Sequence, residues 1–386
     1  MDRGQATKLV TVLLERMIAE GGSDLFITSD FAPAIKKDGQ ITPLMDRVLT
    51  HEHSALMVRS IMNDRQAREF DEHKECQFAI APPSGRFRVS AFVQQGRTGA
   101  VLRVINTEIP DFDALGLPPV LKDVVMSERG LVIFAGATGS GKSTSLAAML
   151  GHRNAHSAGH IISIEDPIEY VHPHRRSIVT QREVGVDTQS WENALKNTLR
   201  QAPNVILIGE VRTRETMEYA INFAETGHLV LCTLHANSAN QALDRIINFF
   251  DESKREQVLM DLSLNLRSIV SQRLVRKAGG GRVAAMEILL DAPLISNLIF
   301  KGKVAQIKDV MSRSNEQGMV TFDQYLFSLF EDGLIDYNEA LRHADSRNEL
   351  RLNIKLNSKR AHQDLSSDQA VHSLSMQDDD EVTGHE

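Results

Sequence analysis

Residues 131–144 read LVIFAGATGSGKST: an apolar run, then a glycine-rich loop, a lysine and two hydroxyl residues. The spacing is G-x-x-x-x-G-K-[ST], and a helical pattern begins at Ser145, so the motif stands in the strand–loop–helix setting its chemistry requires. Gly136, Gly139 and Gly141 let the backbone enter conformations closed to other residues and approach a phosphate closely. The amides of Gly136, Ala137, Thr138, Gly139, Ser140 and Gly141 are then free to point at phosphate oxygens, and the helix N-terminus adds its dipole. Lys142 is placed to reach the β- and γ-phosphates. Ser143 offers its hydroxyl to Mg²⁺, and Thr144 completes the loop. The expected ligands are ATP and Mg²⁺. The spacing does not match the dinucleotide pattern GxGxxG.

Around this loop, short apolar runs at 131–135, 161–164, 205–208 and 229–231 alternate with helical stretches. Such runs suit strands buried on both faces of a mostly parallel sheet, so the expected class is α/β. Residues 256–275 predict one long helix, and 292–345 further helices, including one over 322–331.

Toward the N-terminus, Val10, Leu13, Leu14, Met17 and Ile18 have helical spacing within 7–19, and Gly21 and Gly22 supply the stop. Residues 25–28 predict a strand, and 34–44 a hairpin turning at Asp38 and Gly39. Residues 54–70 predict a helix. RFRVSAF at 86–92 alternates in strand fashion, and 100–105 continues that sheet. The expected organisation is a small α+β domain at 1–105 and a linker at 106–119, marked by Pro110, Gly116, Pro118 and Pro119. An ATPase domain at 120–290 and a helical segment at 291–355 follow. The tail at 356–386 lacks periodicity and predicts disorder.

A chain of 386 residues is long enough for two or three domains. The formal charge of -8 is uneven: the last 26 residues hold seven acids and no Lys or Arg, leaving -1 for the rest. A nearly neutral body argues against a broad basic track, so no nucleic-acid partner is expected. Two cysteines, Cys76 and Cys232, make no disulfide framework and suit a reduced, cytoplasmic setting. Neither a signal-peptide pattern nor an apolar stretch of ~20 residues is evident, so membrane association is expected to go through a partner or a surface.

Residues 205–208 (VILI) run into Gly209 and Glu210. An apolar strand ending in an acid downstream of a P-loop is where an Asp usually holds Mg²⁺ and a Glu polarises the attacking water. Gly209 stands in the Asp position, so Glu210 keeps only the second role. A second acidic group, Glu165, Asp166 and Glu169, follows the run at 161–164. Its acids are candidates to replace the missing Asp near Mg²⁺, since ligands of open α/β sheets gather at the strands' carboxyl edge. For both groups a solvated strand end is the plain alternative. His228 and His235 flank the apolar strand LVLCT. Their spacing does not make a metal pair, and a γ-phosphate sensor or an ordinary satisfied histidine are the two readings. Arg86, Arg88, Arg97 and Arg103 crowd the first sheet, where arginines are either solvated or delivered to a phosphate from a second domain or subunit.

The chain resembles the secretion-ATPase superfamily and, within it, the PilT/PilU twitching-motility ATPases. The carriers are GGSDLFIT, GRFRVSAF, GATGSGKST, ISIEDPIEY, TQREVG, LRQAP, VILIGEVR and AETGHLVLCTLHANSA, spanning nearly residues 20–290. The closer likeness is to the PilU branch. A charged AIRNLI segment in PilT-type chains corresponds here to residues 293–299, where Ser296 replaces the Arg. The resemblance implies a PAS-like N-terminal domain, a RecA-like core and a homohexamer binding ATP between domains and subunits. It assigns Lys142 to Walker A, Glu210 to an atypical Walker B, and Glu169 to the Asp box. It assigns His228 and His235 to the His box, and Arg88 and Arg103 to charge neutralisation. The implied role is accessory retraction of type IV pili with a PilT-type ATPase, at the inner-membrane pilus platform protein. Other classes to weigh are a RecA-like DNA translocase, a P-loop small-molecule kinase, and a nucleotide-dependent scaffold acting through a partner ring.

Overall fold

The computed structural model describes residues 1–360 apart from Asp38 and Asn106, and leaves the side chain of Glu316 undescribed. Helix α1 (Arg3–Ala19) leads into strands β1 (Asp24–Ile27), β2 (Ala34–Lys37) and β3 (Gln40–Pro43). Helices α2 (His51–Ser60) and α3 (Asp64–His73) precede strands β4 (Glu75–Ile80), β5 (Arg86–Gln94) and β6 (Arg97–Ile105). Next come α4 (Val120–Met126), β7 (Gly130–Ala135), α5 (Lys142–His156), β8 (Gly159–Glu165) and β9 (Ser177–Glu183). They are followed by α6 (Trp191–Thr198), β10 (Val205–Ile208), α7 (Arg214–Glu225) and β11 (Leu229–Leu234). The remaining elements are α8 (Ala239–Asn248), α9 (Arg255–Asn265), β12 (Leu266–Arg276), β13 (Arg282–Leu290) and α10 (Pro293–Phe300). Helices α11 (Ile307–Ser312), α12 (Phe322–Glu331), α13 (Tyr337–His343) and α14 (Arg347–Asn357) close the described chain.

These elements group into two compact units. The first comprises Met1–Phe134, Lys142–Leu234 and Ile246–Arg267. The second comprises Ala135–Gly141, His235–Arg245 and Ser268–Glu386, described as far as Arg360.

In the first unit, β3-β2-β1-β6-β5-β4 form one sheet, antiparallel where β1 pairs with β2 and β6 and where β5 pairs with β4 and β6. Its core is built from the apolar edge of α1, namely Val10, Leu13, Leu14 and Met17, packed with Leu25, Phe78, Phe87 and Leu102. Helix α1 starts in a capping box between Asp2 and Gln5 and stops where Gly21 takes φ +72°, the left-handed turn that lets Gly22 N–H reach Met17 O at 2.8 Å. The second group of strands runs β7-β11-β10-β8-β9. Pairs β10–β11, β10–β8 and β8–β9 are parallel. Strands β7, β10 and β11 are buried along their whole length, which is why they read as unbroken apolar runs rather than as alternation.

The second unit is organised on the antiparallel pair β12–β13. Against it lie the apolar side chains of α12, with Phe322, Leu326, Leu329 and Phe330 buried beside Val275, Ala285, Ile335 and Ile354. The Arg273 guanidinium sits 3.8 Å from the Phe322 ring centroid and donates to His343 O at 2.7 Å and Asp345 Oδ1 at 2.7 Å.

Two expectations are corrected. The stretch 256–275 is not one helix: α9 ends at Asn265, and Leu266 opens β12. Val258, Leu262, Leu266 and Ile269 keep a helical period across the junction, but Ile269, Val270 and Val275 are β-branched and pair with β13. Gly279, Gly280 and Gly281 turn that hairpin, with Gly280 and Gly281 at φ +92° and +77°. The stretch 54–70 is two helices, because Asn63 caps a new one through a capping box with Gln66. The hairpin at 34–44 has the expected two-residue turn, with Lys37 opposite Gln40; Asp38 lies outside the described residues, as does nearly all of the acidic tail. No helix among the described residues is long and apolar enough to cross a membrane.

Phe322 is fully buried beneath Arg273. Phe322→Ala is expected to destabilise the second unit by about 3–5 kcal/mol. Native-state hydrogen exchange should read this as a matching loss of protection in α12 and β13; unchanged protection would contradict the packing described.

Candidate nucleotide site

The loop after β7 carries its own test of fit for a phosphate. A Cβ on Gly136 would come 2.5 Å from Ser140 Oγ and 2.7 Å from Gln272 O. Gly141, at φ +87°, would bring one within 2.8 Å of Gln272 Nε2. Any other residue at either place would push into the loop's own support, so both glycines are required by close approach as well as by torsion. Gln272, buried on β12, holds the loop by donating from Nε2 to Ser140 O at 2.9 Å. Ser140 Oγ is buried without a hydrogen-bond partner among the described residues, a polar atom that an anion's oxygen would satisfy. The loop fits a phosphate.

Helix α5 begins at Lys142, which is only 8% exposed. Burial drives its pKa down, while the carboxylates of Glu210 and Glu169 act on it in the opposite sense. A buried ammonium facing acids is poised to exchange them for a phosphate. Thr144 Oγ1 lies 3.0 Å from Tyr170 Oη, tying the start of α5 to the residue after Glu169.

Glu210 follows the buried strand β10, and its Oε2 takes an ion pair from Arg212 Nη2 at 2.6 Å. Gly209 N–H donates to Ile164 O at 2.8 Å, and its own carbonyl accepts from Thr233 Oγ1. A Cβ on Gly209 would meet Glu165 Cα at 3.1 Å and Ile164 O at 3.2 Å. An aspartate here would require the β8 backbone to give way by a few tenths of an ångström, and the acid chemistry at this strand end falls to Glu210. A cleft of about 400 Å³ opens beside Glu210 and Arg212, walled by Trp191, Leu195 and Tyr219.

The second acidic group lies at the ends of β8 and β9. Burial pushes the Glu165 carboxyl up to about 7, against hydrogen bonds from Ser163 Oγ at 2.6 Å and Gln181 Nε2 at 3.2 Å. Glu183, 1% exposed, is also raised, by burial first, while the Ile168 N–H, Arg88 and Arg86 hold it down. Arg88 reaches into this group: its Nη2 donates to Gln77 Oε1 at 2.6 Å, with Asp166 at 3.7 Å and Glu183 at 4.0 Å.

Among the expected site residues, Lys142, Glu210 and Glu169 are thus brought together, with Arg88 at the neighbouring acids. Arg103 is not. Although it stands opposite Arg88 in the β5–β6 register, its Nε donates to buried Asp24 Oδ1 at 2.7 Å. Arg97 pairs with Asp30. His228 precedes β11 at its amino end, where Nδ1 lies 3.1 Å from Phe223 O. Glu210 follows the carboxyl end of the parallel neighbour β10, so strand geometry separates the two by roughly 20 Å. His235 follows the carboxyl end of β11, and its carbonyl accepts from Arg245 Nη1 at 3.0 Å. Sequence reasoning passed over Arg212, Glu183 and Gln272. Arg212 was legible as the cation two residues after Glu210; Gln272 was hidden by the misread helix.

Comparison with known proteins agrees with this geometry. Residues 1–306 match the family model for type II/IV secretion system protein. The chain is 57% identical over 370 residues to the type IV pilus ATPase PilU of Pseudomonas aeruginosa, covering 95% of this chain and 97% of that one. It is 42% identical to the type IV pilus retraction ATPase PilT of the same organism, covering 87% and 98%. A crystal structure of the pilus retraction motor PilT with bound ADP superposes with a TM-score of 0.83 at 40% identity, covering 88% of this chain and 98% of that one. The expected α/β class with a RecA-like P-loop core is therefore the observed one. From a family match that takes in the loop, both acidic groups and the first sheet, it follows that the chain belongs to the type II/IV secretion system protein family.

Proposed function

We propose that this chain is an ATP-hydrolysing motor subunit of the type IV pilus machinery, a PilU-like accessory retraction ATPase that works as a homohexamer. The observation that carries the reading is Lys142, buried at the head of α5 and facing Glu210 and Glu169. The 57% identity to a type IV pilus ATPase across 95% of the chain supports its assignment to pili. The proposed partners are a PilT-type ATPase and the inner-membrane pilus platform protein, reached from the cytoplasmic face. The division into 1–105, 106–119, 120–290 and 291–355 belongs to the same proposal.

In this mechanism residues 136–144 bind the triphosphate of ATP through loop amides and Lys142. Ser143 and Glu169 would hold Mg²⁺, which supplies charge neutralisation between phosphate oxygens. Glu210 orients a water and takes its proton as the water oxygen attacks the γ-phosphorus in line; the bond from that phosphorus to the bridging oxygen breaks, ADP leaves with its electron pair, and inorganic phosphate is formed. Lys142 and Arg88 stabilise the charge that develops on the transferred group. Arg212 keeps the Glu210 carboxylate aimed through their 2.6 Å ion pair. When the γ-phosphate leaves, Lys142 and Arg88 lose their common anion, and the linker 106–119 is the proposed hinge for the movement that follows.

Lys142→Ala is expected to abolish ATP binding or turnover, whereas Glu210→Gln should bind ATP yet hydrolyse it roughly 10²–10⁴-fold more slowly. Nucleotide titration together with phosphate-release assays checks both, and normal turnover in Glu210→Gln would contradict the assignment. Gly209→Asp, which restores the usual acid, should lower stability by about 1–3 kcal/mol and reduce turnover rather than raise it, because its Cβ meets β8 backbone. Denaturant melts and turnover of that variant decide the point. The proton on Glu165 gives a pH signature. Its folded pKa of about 7 lies above the ordinary 4.5, so the associated stability is fully present below ~4.5 and is lost as pH rises through ~7. Glu165→Gln should flatten this slope in pH-dependent unfolding; an unchanged slope would place the proton elsewhere.

A further inference from the structure

Helix α14 (Arg347–Asn357) buries only one edge. Leu350 and Ile354 are 1% and 2% exposed and belong to the core that includes Phe322, Leu326 and Ile335. Around the helix from them, Arg347, Arg351 and Lys355 recur at i, i+4 and i+8, all exposed, a stripe of cations spaced about 6 Å apart. Among the described residues none of the three takes part in an ion pair. Beside this stripe, on the next face, Leu352 and Leu356 are 56% and 65% exposed. A basic stripe next to an apolar one is an uncovered surface with a defined chemistry.

The rest of the chain carries the complementary pattern. Residues 361–386 hold seven acids and no Lys or Arg, and within them Val371, Leu374 and Met376 come shortly before Asp378, Asp379, Asp380 and Glu381. Apolar residues followed by four consecutive acids match an apolar stripe beside a basic one. Reach is ample: the chain advances 18 residues from Arg360 to Asp378, up to ~60 Å, while α14 is only ~16 Å long. A tethered segment acts at an effective concentration of order millimolar, so a free acidic partner competes at a disadvantage.

We propose that the exposed face of α14 is the docking site for the chain's own acidic segment, with residues 378–381 on Arg347, Arg351 and Lys355, and Leu374 and Met376 against Leu352 and Leu356. The contact is intramolecular, and it masks the stripe from other anions. It is screened by salt, since the Debye length falls from ~10 Å at 0.1 M to ~3 Å at 1 M.

Zero-length carbodiimide crosslinking of the full chain, with peptides mapped by mass spectrometry, tests this. Lys355 is expected to link to residues among Asp378, Asp379, Asp380 and Glu381, with a yield independent of protein concentration. The yield should fall at least about fivefold in 1 M NaCl. It should fall likewise when Arg347→Glu and Arg351→Glu are combined, in a variant whose circular dichroism spectrum and melting match the parent. In the variant Asp378→Asn, Asp379→Asn, Asp380→Asn, Glu381→Gln, the Lys355 links should vanish. Links from Lys355 only to other carboxylates, or a yield that rises with protein concentration, would overturn the proposal. So would binding of the parent chain to phosphatidylglycerol vesicles through Arg347, Arg351 and Lys355 with the links to residues 378–381 absent, since the face would then belong to an anionic membrane.

Discussion

The buried ammonium of Lys142 is the constraint on which the rest of the structure depends. An amine at 8% exposure loses hydration that bulk water would give it, and its charge survives only if carboxylates or phosphates take water's place. Glu210 and Glu169 offset part of that loss in the chain as described, while burial still holds the Lys142 pKa below its ordinary value. This requirement explains why two separate strand ends, after β8 and after β10, both deliver acids to the same edge of the sheet. It also explains why a phosphate ligand is an exchange partner rather than an addition: the anion that satisfies Lys142 releases the carboxylates for other work.

Steric detail at Gly209 shapes how that work is divided. Parallel strands β8 and β10 pack so closely at their carboxyl ends that a Cβ at Gly209 would come within 3.1 Å of Glu165 Cα and 3.2 Å of Ile164 O. The usual aspartate would crowd the β8 backbone. Its share of charge passes to acids on the β8–β9 side, where Glu165, Asp166, Glu169 and Glu183 crowd together and two of them, Glu165 and Glu183, hold protons more tightly than usual. Arg88, extended from the first sheet, meets this crowd at Asp166 and Glu183. One long cation thus links the antiparallel sheet to the acids of the parallel strands inside the first unit.

Much of this was legible in the sequence because its signals are local. The P-loop is a contiguous motif, and buried parallel strands leave unbroken apolar runs, so β7, β8, β10 and β11 were found close to their true bounds. Strand β9 and the hairpin β12–β13 were not. The amphipathic period of 256–275 fits a helix as well as a helix followed by a strand, and only pairing with β13 separates the two. The Gly279–Gly280–Gly281 turn was the available clue. In the site, Glu210, Lys142 and Glu169 announced themselves by position after apolar strands. Arg88 and Arg103 could not be told apart, since they are cross-strand neighbours whose fates differ only because Asp24 lies within reach of Arg103. His228 and His235 share a motif, yet they stand at opposite ends of β11, a separation that a six-residue strand imposes and a motif does not display.

The most direct measurement is a crystal structure of this chain with Mg²⁺ and a non-hydrolysable ATP analogue. The account predicts the γ-phosphate within hydrogen-bonding distance of Lys142 Nζ, with a water held by Glu210 in line for attack. A nucleotide bound away from residues 136–144, or Glu210 turned from the phosphate with no water between them, would contradict it.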